Sequence, residues 1–165
     1  MPFQGSNTGS NPVGDAILKN VTVKMINSLL QIQKLDPQHT EITSPVYLNI
    51  MSNDKGRSVF LNSTKSINTV AVLEFLPNAG IRGNHYHLTK SETMYIIQGK
   101  MKLYYWLPGQ PDIEEIVVET GHLITLKPNL GHAYQALEYT LAFEMGTHPY
   151  DPTDTVYEQK TNTES

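Results

Sequence analysis

Cysteine is absent from the 165 residues. That excludes disulfides, thiolate metal sites and a cysteine nucleophile. Basic runs are absent too. Lysine and arginine number 12 against 16 acidic residues, for a net charge of −4. Without clustered cations to hold a phosphate backbone, nucleic acid is not an expected partner. No apolar run approaches the roughly 18 residues of a membrane span, and the first residues lack a basic-then-apolar leader pattern. The expectation is a cytoplasmic chain with no membrane partner, long enough for one domain around one core.

What is present divides the chain into four parts. Residues 1–14 are rich in Gly, Ser, Asn and Pro and predict a disordered segment. Residues 15–45 form an N-terminal extension. Within it Leu18, Val21, Met25, Leu29 and Ile32 fall near helical spacing behind Asp15 as a cap, while Val21 to Met25 alternates as a strand does. The reading favours a helix for the second half of 15–35 and a loop over 36–45, where Pro37 and Pro45 sit. From residue 46 the pattern is all-β, with strands expected near 46–51, 58–61, 69–76, 84–88, 92–98, 100–107, 113–118, 123–126, 132–136 and 139–145. Turn-forming clusters such as Asn53-Asp54-Lys55-Gly56 separate them. So regular a succession predicts a sandwich or a barrel over 46–150. Residues 151–165 read as a polar C-terminal tail.

One stretch carries chemistry. Residues 77–99 read P-N-A-G-I-R-G-N-H-Y-H-L-T-K-S-E-T-M-Y-I-I-Q-G. On an extended strand His85 and His87 share one face and Tyr86 takes the other. Glu92 follows, opening a run apolar enough to be buried. Two imidazoles and a carboxylate make most of a first-row metal site, and buried polar groups need partners of this kind.

This segment resembles the first motif of the cupin superfamily, G-x5-H-x-H-x3/4-E-x6-G. The gaps of four residues to Glu92 and six to Gly99 match, and the gap from Gly80 to His85 is one residue short. The second motif, G-x5-P-x-G-x2-H-x3-N, resembles residues 121–136. There an extra residue precedes Pro128, Gly131 sits directly before His132, and Ala136 stands where the motif has Asn. The resemblance implies an all-β chain folded as a single cupin (jelly-roll) β-barrel. It also implies His132 as a further ligand beside His85, His87 and Glu92, for one divalent transition metal among Fe, Mn, Ni, Co and Zn. A homodimer is the usual family state, with the N-terminal extension either pairing two chains or covering the barrel. A narrower likeness rests on Arg82-Gly83-Asn84-His85-Tyr86-His87, on residues 54–58, and on Phe143-Glu144 with residues 151–155. It points to cupins acting on nucleotide-linked keto-sugars: the C-terminal cupin domain of capsular-polysaccharide reductase/epimerases, and sugar 3,4-ketoisomerases with an R-G-x-H-x-H motif.

What these relatives imply is isomerisation or epimerisation of a small-molecule substrate by proton transfer beside a ketone. That needs a base near the α-carbon and positive charge near the developing oxyanion. His85 and His87 are the acid–base candidates, with Tyr134 as the phenol on the strand face of His132. Glu92 either completes a metal shell or orients an imidazole in a metal-free site; the availability of His132 favours metal. Arg82 can hold a phosphate or carboxylate at the barrel mouth. Tyr104 and Trp106 share a strand face and form either core or dimer packing or a flat platform for a sugar. Lys90 reads as solvated, and His39, His122 and His148 as surface or turn residues. Two other classes remain open: an Fe(II)-dependent dioxygenase or a metal-dependent lyase or decarboxylase, and a non-catalytic small-molecule binder.

Overall fold

The computed structural model describes residues 23–26, 28–34 and 46–161. Thirteen strands make up its regular structure, with one 3-10 turn and no α-helix among the described residues. They are β1 (Val23–Ile26), β2 (Leu30–Lys34), β3 (Val46–Asn53), β4 (Gly56–Ser63), β5 (Thr69–Phe75), β6 (Ile81–His87) and β7 (Glu92–Gln98). Then come β8 (Lys100–Trp106), β9 (Glu114–Glu119), β10 (His122–Leu126), β11 (Gly131–Ala136), β12 (Thr140–Gly146) and β13 (Thr155–Tyr157). All ten strands expected from residue 46 onward form: β5 and β8 alternate between a packed and an open face, whereas β7, β10 and β11 are buried over most of their length.

Two antiparallel sheets face each other. One has six strands in the order β1-β2-β10-β7-β12-β5, the other five in the order β13-β6-β11-β8-β9, and β3–β4 is a separate hairpin. Between the sheets lies a core that includes Leu30, Ile32, Met94, Ile96, Met101, Leu103, Val118 and Ile124. Burying one such side chain is worth about 1.5–3 kcal/mol. No helix of the described residues is long and apolar enough to cross a membrane.

Two expectations are corrected. The stretch read as a helix is two strands: β1 pairs with β2, and β2 pairs with β10 from Leu30↔Leu126 to Lys34↔His122. Leu30 and Ile32 enter the core on alternate positions, so hydrogen bonds and apolar burial offered by the neighbouring sheet edge override a near-helical spacing. The segment read as a polar tail also belongs to the fold. Asp151 caps the turn Pro152–Asp154, and β13 then pairs along β6, with Thr155 opposite His87 and Tyr157 opposite His85. The segment 1–14 and the loop 36–45 lie outside the described residues.

Candidate active site

The site forms where the two sheets face each other. From the five-stranded sheet, β6 brings His85 and His87 and β11 brings His132 and Tyr134. From the six-stranded sheet, β7 brings Glu92 and β12 brings Glu144. His132 is the register partner of His85, and the pairing shifts immediately afterwards, between His132 and Ala133. Gly83 makes that approach possible: its φ is +115°, and a Cβ there would lie 2.9 Å from the His132 carbonyl oxygen. Together these residues line a cavity of about 310 Å³, apolar towards Leu73 and Phe75 and opening past Arg82, Tyr150 and Tyr157.

Three imidazoles cluster there. The His85 ring lies 4.6 Å from that of His132 and 5.1 Å from that of His87. Burial and the neighbouring His132 lower the His85 pKa to about 4, against the attraction of Glu92. The His85 ring is therefore neutral near pH 7. The Glu92 carboxyl is pushed up by burial but held well below its ordinary range by the His132 and His87 imidazoles. Burial and the charge of Glu92 raise Glu144 to about 7, with Lys90 opposing. Burial pushes the Tyr134 phenol well up, so it stays a neutral donor.

The donor set fits a metal ion. Ligand atoms of His85, Glu92 and His132 all lie within 4.8 Å of one another. His132 Nδ1 is 3.2 Å from the Leu130 carbonyl oxygen. A proton on Nδ1 serves that contact and leaves Nε2 bare, 3.5 Å from Glu92 Oε2. Two acceptors so placed need a positive charge between them, either a proton or a metal ion. His85 Nδ1 is likewise buried and has no hydrogen-bond partner. His87 lies beside this group rather than in it. Its Nδ1 faces Asp154 Oδ2 at 3.2 Å and Thr155 Oγ1 at 3.4 Å. Its Nε2 lies 3.0 Å from Glu92 Oε1 off the hydrogen-bond direction and has no hydrogen-bond partner.

Other expected residues fall differently. Arg82 is at the mouth, its guanidinium 5.1 Å over the Phe75 ring and Nη1 donating to the Glu74 carbonyl oxygen at 3.3 Å. Tyr104 and Trp106 line no part of this cavity. Their side of β8 turns away from the core that Leu103 and Tyr105 enter. Tyr104 Oη donates to Gln135, and the buried Trp106 indole donates to Glu158 on the C-terminal segment. Lys90, expected in solvent, is buried. Glu144 and Asp154 were not singled out as site residues. Both stood only within the narrower likeness, in Phe143-Glu144 and residues 151–155, and a lone carboxylate between Phe143 and Met145 was a further signal for Glu144. Asp154 accepts from Thr89 N and Oγ1 and from Lys90 N. These bonds and the His87 imidazole, working against burial, keep its pKa low.

Tyr86 tests the strand assignment. Tyr86→Ala is expected to leave metal content unchanged within error by elemental analysis, because its side chain leaves β6 on the face opposite His85 and His87. Loss equal to that of His85→Ala would contradict the facing.

Two antiparallel sheets facing each other over an inward-facing histidine cluster form a jelly-roll β-barrel of the cupin type. Solved structures bear this out. QdtA, a sugar 3,4-ketoisomerase from Thermoanaerobacterium thermosaccharolyticum solved with TDP, superposes with a TM-score of 0.60 at 14% identity, over 72% of this chain and 91% of that one. The dTDP-6-deoxy-D-glucose-3,5-epimerase RmlC from Legionella pneumophila, solved with dTDP-4-keto-L-rhamnose, gives 0.60 at 13% identity over 84% of this chain and 76% of that one. The capsular polysaccharide assembling protein CapF from Staphylococcus aureus gives 0.50 at 23% identity, over 67% of this chain and 34% of that one. At these identities the likeness is one of fold. No family model matches the chain, and no curated protein matches its sequence.

Proposed function

We propose that this chain isomerises or epimerises a nucleotide-linked keto-sugar by moving a proton beside the carbonyl. The observation that carries the reading is the convergence, in one cavity, of a carboxylate-backed imidazole and an unpartnered neutral phenol. Similar folds that act on such sugars support it.

In this reading His87 is the base. Asp154 beside Nδ1 favours the tautomer with its proton there, which leaves Nε2 to accept a proton from the carbon next to the ketone. The same nitrogen returns it to the neighbouring carbon for isomerisation, while the hydroxyl proton on the first carbon passes to the former carbonyl oxygen; epimerisation instead requires delivery to the opposite face of the first carbon by a second group. The Tyr134 hydroxyl donates to the oxygen on which charge builds in the enediolate. Its burial keeps it protonated throughout. In this reading the apolar wall of Leu73 and Phe75 would keep water from the reacting carbons, and Arg82 at the mouth would meet the phosphates. Where His85, Glu92 and His132 hold a divalent ion, it supplies Lewis-acid polarisation of the substrate carbonyl.

The test is exchange in deuterated water. Incubation with a dTDP-4-keto-6-deoxyhexose is expected to place deuterium on the carbon next to the ketone, read by NMR, and Tyr134→Phe to slow this by about 100-fold. No exchange with keto-sugars, together with tight binding of one of them, would instead make the chain a binder.

A further inference from the structure

Lys90 is the buried cation of this site that the reaction above leaves without a task. Its side chain is 9% exposed, with Nζ 2.6 Å from Glu92 Oε1 and 3.8 Å from Glu144 Oε1. Several features hold it there. Its backbone amide donates to Asp154 Oδ2 at 3.2 Å. Its stem crosses β12 at Gly146, where an added Cβ would come within 2.5 Å of Lys90 Cε. Gly146 is in turn the register partner of Glu92. A glycine thus keeps open the passage that brings an ammonium group onto one oxygen of the carboxylate, while the other oxygen, Oε2, faces His132 Nε2 at 3.5 Å.

We infer that Lys90 is a built-in rival to metal for Glu92: it occupies Oε1, restricts a divalent cation to Oε2, and lowers the affinity of the His85–Glu92–His132 group for that cation. The inference rests on the reading that these three residues take a metal. Its physical basis is direct. An ammonium on one carboxylate oxygen neutralises the charge a divalent ion would use, and it repels that ion across a short, poorly screened distance. An all-donor shell has no such opponent. A site with one holds its metal loosely and exchanges it.

The experiment measures the affinity of the metal-stripped full chain for Zn²⁺ by competition with a chromogenic chelator. Lys90→Met keeps an unbranched side chain one atom shorter and removes its charge; it is expected to bind Zn²⁺ at least about tenfold more tightly than the parent. Gly146→Ala, which displaces the Lys90 stem without changing a charge, is expected to shift affinity the same way and carries the test if Lys90→Met does not fold. Lys160→Met removes a cation 3.2 Å from Glu158, outside the site, and is expected to change nothing. Binding by Lys90→Met with none detectable in the parent also supports the inference. Equal or weaker binding by both Lys90→Met and Gly146→Ala overturns it while leaving the metal reading intact. No binding by any variant removes the metal reading and the inference with it.

Discussion

His132→Ala is expected to lower turnover by more than about 100-fold and to weaken metal binding, while the barrel stays folded. The residue is almost wholly buried, stacked edge-on against His85 at 4.6 Å and near Tyr134 at 5.7 Å. It is also the neighbour that Glu92 Oε2 faces. Alanine would remove one of the three converging donors and the imidazole that holds the Glu92 carboxylate ionised. The apolar core residues Leu30, Ile96, Leu103 and Ile124 line no part of the cavity and should keep their packing, so circular dichroism should change little. His122→Ala is the control. His122 sits at the start of β10 with Nδ1 engaged by Glu119, and it lines no part of the cavity. Full metal occupancy and turnover in His132→Ala would show that the second motif had been aligned to the wrong histidine.

The second large effect is a stability profile in which two buried groups oppose each other. For His85 the folded pKa, about 4, lies below the ordinary 6.5. As pH falls through that window the unfolded chain takes up a proton that the fold refuses, so the fold loses stability. For Glu144 the folded pKa, about 7, lies above the ordinary 4.5. There the fold keeps its proton longer, and it loses stability as pH rises from 4.5 to 7. Each contribution is on the order of 3 kcal/mol at most, reduced for His85 by its partial exposure. Between pH 4.5 and 6.5 they cancel. Burial is the largest cause of both shifts; His132, Glu92 and His87 act on His85, against which Tyr157 packs, while Glu92, Lys90 and His132 act on Glu144. Urea titrations of chelator-treated protein should therefore be nearly flat over that range. Below it stability should fall, as Glu92, held ionised in the fold, is forced to protonate. Glu144→Gln is expected to expose the His85 slope, with stability dropping as pH goes from 6.5 to 4. His85→Gln is expected to expose the reverse slope. Parallel profiles for the parent and both variants would rule out this opposition.

The residues that carried the reading were those whose role depends on local spacing. His85 and His87 must share a strand face two residues apart, and Glu92 follows after one turn. The ten strands from β3 to β12 were equally local in origin, short β-rich runs set apart by turn-forming residues. The N-terminal segment misled because its apolar residues suit two periods, and only the free edge of β10 decides between them. Lys90 misled for a related reason. A lysine in a turn belongs in water unless a distant glycine opens a passage, and Gly146 lies 56 residues further along a strand whose register with Glu92 no local pattern reveals.

By itself the sequence determined an all-β chain without cysteine chemistry, and a histidine pair on one face of a strand with a glutamate opening the next. The tertiary structure alone decided what those groups meet. It set His132 opposite His85, put Asp154 behind His87, and laid Lys90 against Glu92. The reason is physical: side-chain direction follows from backbone period within a strand, whereas the partner across a cavity is chosen by sheet order, register and the space a missing Cβ leaves.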